Sequence, residues 1–323
     1  MHKRLFGCFL LITFGLLGHG IATAQAWPTK PVRLIVPFPP GGSLDPIARI
    51  VAAKLHESLK QPFVVENKPG AAGAIGTAAA VSAPPDGYTF VFVFDTHAVN
   101  PALMPSLPYD TRKDLTPVML IGKAPMAIVT QTGKPFRSFA DVVQTASSKP
   151  RSVSYGTMNG TLGHLTMTLL QKEAKIQLVT VPYKGGAPMV QDALGGQIDL
   201  AIGSPATVGP YVKSGKMRAL AVTSARQSPA FPNVPTLTEL GYKGLSAYAW
   251  WAIFAPAGTP KPILAKFHSE LAKVFSDPEV RKTLVETQGM EVVAGPPEEL
   301  DRWLGSEMDR WARVVKENDI QVQ

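Results

Sequence analysis

The stretch VPFPPGGSLDP, from Val36 to Pro46, connects the apolar run Val32–Val36 to an amphipathic segment. Asp45 followed by Pro46 predicts a helix start, because aspartate accepts hydrogen bonds from the free amides of a first turn and proline fits the first helical position. Apolar residues then recur at steps of four, at Ile47, Val51, Leu55 and Leu59. In open α/β sheets, ligands bind beyond the carboxyl ends of the strands. The stretch therefore predicts a strand, a turn and a helix whose N-terminus points towards a ligand site.

The turn itself presents backbone amides with little or no side chain in the way, at Gly41, Gly42 and Ser43. Free amides at a helix N-terminus bind anions. An ionised Asp45 would repel a carboxylate on the helix axis, so we expect an anion to lie on the loop amides to one side, directly or through water. From this stretch alone, a tight turn that binds nothing is an equally good interpretation.

A second loop of the same design is SYGTMNGTLGHL, which begins at Ser154. A strand-like run ends at Tyr155, and leucines at 162, 165, 169 and 170 mark the helix that follows. The turn between them supplies amides and polar side chains at Gly156, Thr157, Asn159, Gly160 and Thr161. His164 falls within the helical pattern, which favours an imidazole that braces the loop or donates to a ligand over a catalytic base.

Three further candidates come within a few residues of the ends of predicted strands. They are Thr96, Lys184 in the run PYKGG, and Ser204. Each is weak alone, and Lys184 is also readily explained as a solvated surface lysine, but their shared position at strand carboxyl ends adds to the prediction. Neither loop contains arginine, so a bidentate guanidinium clamp on a carboxylate is not predicted from them.

Short apolar runs alternate with longer amphipathic ones through most of the chain, which predicts an α/β fold around mainly parallel sheets. The last third is almost entirely helical after the strand-like run YAWWAIFAP. Its two apolar stripes, one of which carries Trp303 and Trp311, need a sheet to cover. About 300 residues is roughly two domains' worth of chain.

The first residues form a predicted secretory signal peptide. Lys3 and Arg4 precede an apolar run that is too short to span a bilayer, and an A-x-A pattern at 24–26 marks a cleavage site before Trp27. The single cysteine, Cys8, lies in this leader, so the mature chain has no thiol for a disulfide or a thiolate metal site. Removing the leader lowers the formal net charge from +8 to +6. The basic residues are scattered, which argues against nucleic-acid binding.

The sequence patterns of common catalytic sites are missing. There is no G-x-S-x-G, no G-x-x-x-x-G-K-[ST] and no H-E-x-x-H, and the run GAAGAIG has the wrong spacing for a dinucleotide turn. We therefore predict a protein that is not an enzyme and that uses no cofactor or metal. An exported hydrolase or isomerase that pairs His164 with a nearby carboxylate is the enzymatic alternative.

Nine segments, taken in order, make the chain similar to the substrate-binding proteins of tripartite tricarboxylate transporters, the Bug-type extracytoplasmic receptors. They are PVRLIVPFPPGGSLDPIAR, VVENKPGAAGAIGT, PPDGYTF, LPYDTRKDLTPV, YGTMNGTLGHL, VPYKGGAPMVQDALGGQIDLAIG, GKMRALAVTS, FPNVPTLTELGY and WAIFAPAGTPKPI. The resemblance implies a type II periplasmic-binding-protein fold, with two α/β lobes, two crossing segments and a ligand cleft that closes on binding. The implied divisions are a leader at 1–26, a first lobe at 27–125 plus 248–323, and a second lobe at 126–247.

The resemblance also implies that one loop from each lobe grips a small organic acid, a di- or tricarboxylate or an aromatic carboxylate. Carried over to this chain, the first grip includes Phe38. Leu44 stands where the family usually has threonine, and Met158 is bulky for this turn, so a more apolar or aromatic acid is a possible ligand. The predicted ligand-binding residues are Phe38, Gly41, Gly42, Ser43, Asp45, Thr96, Tyr155, Gly156, Thr157, Asn159, Gly160, Thr161, His164, Lys184 and Ser204.

The function that the resemblance implies is capture of this acid in the periplasm and delivery to the membrane permease subunits of a tripartite transporter. The receptor itself is expected to be a monomer that does not span the membrane. A periplasmic sensor that docks on a receptor kinase would use the same cleft, and the sequence does not distinguish the two.

Overall fold

The computed structural model describes residues 27–320, and the predicted signal peptide lies outside this range. The strands are β1 Val32–Val36, β2 Phe63–Asn67, β3 Thr89–Phe94, β4 Leu115–Pro125, β5 Ala127–Gln131, β6 Ser154–Met158, β7 Val179–Tyr183, β8 Leu200–Gly203, β9 Met217–Val222, β10 Tyr248–Pro256 and β11 Glu291–Val292. The helices are α1 Leu44–Leu59, α2 Ala74–Val81, α3 Thr96–Leu103, α4 Phe139–Ser148, α5 Leu162–Glu173, α6 Gly186–Leu194, α7 Pro205–Lys213, α8 Lys261–Ser276, α9 Pro278–Gln288 and α10 Pro297–Glu317.

The strands form two separate mixed sheets with more antiparallel than parallel pairings, so the prediction of mainly parallel sheets is wrong. The first sheet has the order β11-β4-β10-β3-β1-β2, and the second has the order β7-β6-β8-β5-β9. β1 runs parallel to β2 and β3, and β6 runs parallel to β7 and β8. β10 is antiparallel to both of its neighbours, as is β5. We call the parts of the chain around these sheets the first and second lobes, and the residue boundaries given above stay a prediction.

Helices cover both faces of the first sheet, and β3 shows why. All six residues of its sequence TFVFVF are buried. Because side chains alternate along a strand, Phe90 and Phe92 pack towards α1 and α8, whereas Val91 and Val93 pack towards α2 and α10. The apolar stripes of the C-terminal helices therefore cover the first sheet, as the sequence predicts.

Aromatic residues anchor these helices on the sheet. Phe267 of α8 stacks on Phe90 with ring centroids 3.8 Å apart. On α10, Trp311 is almost fully buried, and its Nε1 donates to Glu307 Oε2 at 2.9 Å. Trp303 is only partly buried and packs against the other cluster, the one that contains Val91 and Val93. Within residues 27–320, no helix is long and apolar enough to span a membrane.

Two chain segments connect the sheets, one between β4 and β5 and one between β9 and β10, and Thr223 joins them. Its Oγ1 accepts a hydrogen bond from the amide of Met126 at 2.9 Å and donates to the carbonyl oxygen of Ala247 at 2.6 Å. Its backbone N–H and C=O bond to the same two residues. Met126 lies between β4 and β5, and Ala247 immediately precedes β10. One buried threonine therefore ties together both connections between the sheets.

Candidate functional site

A cavity of about 380 Å³ lies where the carboxyl ends of the parallel strands of both sheets meet. The residues of the first lobe that line it include Phe38, Pro39, Pro40, Gly41, Gly42, Ser43, Leu44, Phe94, Asp95 and Gln288. The residues of the second lobe that line it include Met158, Thr161, Gly163, Lys184, Gly185, Gly186, Met189, Ile202, Ser204, Thr207 and Tyr211. The volume suits a small-molecule ligand.

Besides α3, whose N-cap Asp95 lines the cavity, four helices begin at its wall, α1 from the first lobe and α5, α6 and α7 from the second. Their N-cap residues are Ser43, Thr161, Gly185 and Ser204, and all four line the cavity. None of these four residues accepts a side-chain hydrogen bond from a first-turn amide of its helix, although serine and threonine usually do. Away from the cavity, Ser138 caps α4 and Asp277 caps α9 in that way. The first-turn amides at the cavity therefore have no side-chain acceptor, and the positive ends of four helix dipoles converge on it.

The first loop differs from its prediction at the helix start. α1 begins at Leu44, with Ser43 as its N-cap, so the prediction that Asp45 caps this helix is wrong. Asp45 instead lies in the first turn, where its carboxylate accepts two hydrogen bonds from Arg49, one from Asn67 Nδ2 at 2.9 Å and one from the Gly41 amide at 3.3 Å. These partners satisfy the carboxylate and turn it away from the cavity.

The charge of Asp45 is consequently offset within the loop. Burial disfavours its ionised form, but the hydrogen bonds from Arg49 and Asn67 outweigh burial and hold its pKa below the usual value. Asn67 also donates to the carbonyl oxygen of Phe38 at 3.1 Å, which fixes the loop on β2. Within the described chain, the amides of Gly42 and Ser43 make no hydrogen bond to other protein groups. The repulsion expected from Asp45 is therefore largely removed.

Half of the predicted second loop belongs to strand β6. β6 continues to Met158, so Tyr155, Gly156 and Thr157 are paired with β7 and, in part, β8. The Tyr155 hydroxyl accepts a hydrogen bond from Thr180 at 3.0 Å, away from the cavity. Thr161 does line the cavity, but its own amide and Oγ1 both donate to the carbonyl oxygen of Met158.

Seven of the fifteen predicted residues line the cavity, namely Phe38, Gly41, Gly42, Ser43, Thr161, Lys184 and Ser204. The others do not, namely Asp45, Thr96, Tyr155, Gly156, Thr157, Asn159, Gly160 and His164. Thr96 is buried in α3. The Gly160 amide lies 3.5 Å from His164 Nδ1, a contact that fits a bracing role, and burial lowers the pKa of this imidazole. Which of these residues contact a ligand stays a prediction.

Sequence reasoning missed two buried polar side chains that line the cavity. Asp95 directly follows β3 and is fully buried. Gln288 ends α9 and is 6% exposed, and its Oε1 has no hydrogen-bond partner in the described chain. Asp95 directly follows β3, as Ser204 directly follows β8, so the rule that selected Ser204 would also have found Asp95. Gln288 comes from a helix late in the chain, where no local pattern pointed to the cavity.

The sequence also predicts only part of the cavity wall at the start of α6. Of the run PYKGG, only Lys184 was selected, but Gly185 and Gly186 line the cavity with it. A side chain at Gly186 would collide with Thr207, since a Cβ there would lie 2.7 Å from Thr207 Cγ2. The glycine therefore lets α6 and α7 approach closely at their N-termini. Within residues 27–320, no cluster of three or more His, Asp or Glu side chains could hold a metal ion.

The family model described as "Tripartite tricarboxylate transporter family receptor" matches residues 47–320 of this chain. Among curated proteins, the chain is similar to protein BugT of Bordetella pertussis strain Tohama I. The two are 36% identical over an alignment that covers 93% of each chain.

Solved structures of this type superpose closely on this chain. R. palustris Rpa4515 with adipate has a TM-score of 0.86 and 34% identity, over 91% of this chain and 99% of that one. Periplasmic binding protein BugD has a TM-score of 0.85 and 32% identity, over 92% and 100%. MatC (Rpa3494) from Rhodopseudomonas palustris with bound malate has a TM-score of 0.83 and 29% identity, over 90% and 100%. The predicted type II periplasmic-binding-protein fold is confirmed.

Proposed function

The chain belongs to the tripartite tricarboxylate transporter family of receptors, and from this premise we propose that it captures a small dicarboxylate in the cavity between its lobes and delivers it to transporter subunits in the membrane. Its relatives of known structure are binding receptors rather than enzymes, and they include a periplasmic binding protein. Solute binding is therefore the function of this chain at the level of its family, and the ligand and the transporter are the proposal.

The observation that carries the proposal is the convergence of helix N-termini from both lobes. α1 brings the free amides of Gly42 and Ser43, while α6 and α7 bring their uncapped first turns from the other side. A ligand with two separated carboxylates could bind one to each group of amides. Amides and hydroxyls preorganised in this way bind an anion without a buried arginine, and Lys184 at the rim adds favourable charge.

The lining between the helix ends indicates what lies between the carboxylates. Phe38 and Phe94 of the first lobe and Met158, Met189 and Ile202 of the second are apolar. Apolar walls favour a ligand with a hydrocarbon centre and disfavour one with many hydroxyls. Among relatives, Rpa4515 was solved with adipate, whose four methylenes separate two carboxylates. We therefore propose that a linear dicarboxylate of about this length is preferred over citrate-like acids.

Delivery requires that the bound and free receptors differ in shape. We propose that the lobes rotate about the crossing segments joined by Thr223, with closure favoured only by the contacts that a ligand makes with both lobes at once. Gly289, which follows α9, packs directly on Pro205 at the start of α7, so the lobes also touch beside the cavity. We further propose that the protein works as an exported monomer in the periplasm, after removal of its leader near Ala26.

A thermal-shift screen of the mature protein tests the ligand class. The panel contains succinate, adipate, malate, citrate and benzoate, with glucose and a polyamine as controls. A ligand at 100 times its dissociation constant stabilises the folded state by ~2.7 kcal/mol, which is a readily measured shift. Stabilisation by adipate above the other acids supports the proposal. Stabilisation by the sugar or the polyamine alone would contradict it.

A further inference from the structure

Asp95 is a carboxyl group in the wall of an anion site, and nothing in the described chain pairs with it. It directly follows β3, is 0% exposed and lines the cavity. Neither of its side-chain oxygens makes a hydrogen bond within residues 27–320. A buried polar group without a partner is costly in a folded protein unless something else completes it.

The local geometry shows that this carboxyl group is not a helix cap. Asp95 is the N-cap residue of α3, but its side chain accepts no hydrogen bond from the first turn, and the Ala98 amide bonds to its backbone oxygen instead. The amides of Thr96 and of Leu162 lie close enough to favour its charged form, yet neither reaches hydrogen-bonding geometry. Leu162 is the first residue of α5, so Asp95 lies at the seam between the lobes.

The surroundings of Asp95 oppose a negative charge. Burial raises its pKa well above the usual value, and Glu307 on α10 raises it further. His97 on α3 offers no positive charge, because burial lowers its pKa to about 3, and burial also lowers the pKa of His164 on α5. On α1, Arg49 is engaged by Asp45. Lys184, across the cavity, is exposed to solvent.

We propose that Asp95 keeps its proton at neutral pH and donates it in an O–H···O hydrogen bond to one carboxylate of the ligand, which makes it the specificity-determining residue of the cavity. This inference rests on the proposed function and extends it. A neutral carboxylic acid supplies a donor where an ionised one would repel the ligand. Within residues 27–320, no group forms a hydrogen bond with either oxygen of this acid, so its hydroxyl group is available to the ligand.

Two measurable consequences follow from this protonation state. First, binding of a dicarboxylate should weaken with rising pH, by up to about tenfold per unit once Asp95 ionises in the free receptor, because the ligand then binds only with uptake of a proton. Second, a ligand with an ammonium group near this carboxyl should be disfavoured, since a neutral acid gives it no counter-charge.

The experiment is calorimetric titration with adipate and with 2-aminoadipate, between pH 5.5 and pH 9, on the wild type and on Asp95→Asn. The amide keeps the shape and a donor but does not titrate. We expect wild-type affinity for adipate to fall across this range, whereas that of Asp95→Asn stays within about twofold. Asp309→Asn is the matched control, because it makes the same aspartate-to-asparagine change at an exposed position outside the cavity, and its binding should depend on pH as that of the wild type does. Adipate should bind more tightly than 2-aminoadipate at neutral pH.

Opposite results would overturn the inference. Tighter binding of 2-aminoadipate, lost in Asp95→Asn, would mean that Asp95 is ionised and binds a ligand cation. The carboxyl carbon of Asp95, found by ¹³C NMR as the signal missing in Asp95→Asn, tests the ligand-free protein directly. Titration of that signal at ordinary aspartate pH would refute the inference even where adipate binds. Failure of every carboxylate to bind a receptor whose Asp95 is protonated would instead refute the proposed function, and with it the donated bond.

Discussion

The loop after β1 and the loop after β6 have similar sequences and different structures. β1 ends at Val36, so the following residues form a true turn at the cavity, with Gly41 at a φ of +80° that favours glycine. β6 extends through the corresponding glycine and threonine to Met158, and only Thr161 of its loop lines the cavity. Glycine and threonine after an apolar run therefore do not by themselves mark where a strand ends.

The second lobe compensates with other turns. The N-termini of α6 and α7 occupy the wall opposite α1, at Gly185 and Ser204. Both follow strands that neighbour β6 in the second sheet. Parallel neighbours end at the same edge of a sheet, so any of their loops could have formed this wall. The first lobe forms its wall mainly with one loop, whereas the second lobe forms its wall with the loops before α5, α6 and α7.

The largest effect should come from filling the cavity at the first loop. Gly42→Leu places a bulky side chain at an exposed, unstrained position, where a Cβ would lie 3.6 Å from the Pro39 carbonyl oxygen. We expect affinity for adipate to fall about 100-fold, which corresponds to about 2.7 kcal/mol, with little change in the free energy of unfolding. Calorimetric titration and urea denaturation measure the two quantities.

Gly305→Leu is the control for this change. Gly305 lies on α10, and a Cβ there would meet nothing within 4 Å. A better helix former at this position should stabilise the protein slightly, by up to about 1 kcal/mol, and leave affinity unchanged. Equal affinities for Gly42→Leu and the wild type would show that the ligand does not lie on the first loop.

Gly156→Ala tests the same residue type in the second loop, and here the expected loss is in stability. Gly156 is inside β6, where a Cβ would lie 2.5 Å from Ile198 Cδ1 and 2.9 Å from Met189 Cγ. We expect the free energy of unfolding to fall by about 2 kcal/mol, as for other overpacked cores. Gly42→Ala should be nearly neutral in the same urea titration. If Gly156→Ala is as stable as the wild type, the packing role of this glycine is wrong.

The parts of the site that follow from local chemistry could be predicted from the sequence, and the parts that depend on tertiary packing could not. The α/β class and the turn at Gly41–Gly42 are encoded by apolar periodicity and by proline and glycine placement. The role of Asp45 depends on Arg49, four residues later on the same helix, and on Asn67 at the end of β2. Gln288 reaches the cavity only because α9 packs on α7. No short window of sequence contains that contact.

Asn159→Ala should have a smaller effect than Gly42→Leu or Gly156→Ala. It tests directly whether the loop after β6, unlike the loop after β1, stays away from the ligand. The sequence predicts Asn159 as a ligand donor, but its side chain makes no hydrogen bond in the described chain and does not line the cavity. A half-buried polar group outside the site contributes little to binding, so we expect affinity for adipate to change by less than about twofold. A tenfold loss in calorimetric titration would mean that the turn after β6 rearranges towards the ligand on closure, and that the two loops become alike only in the bound receptor.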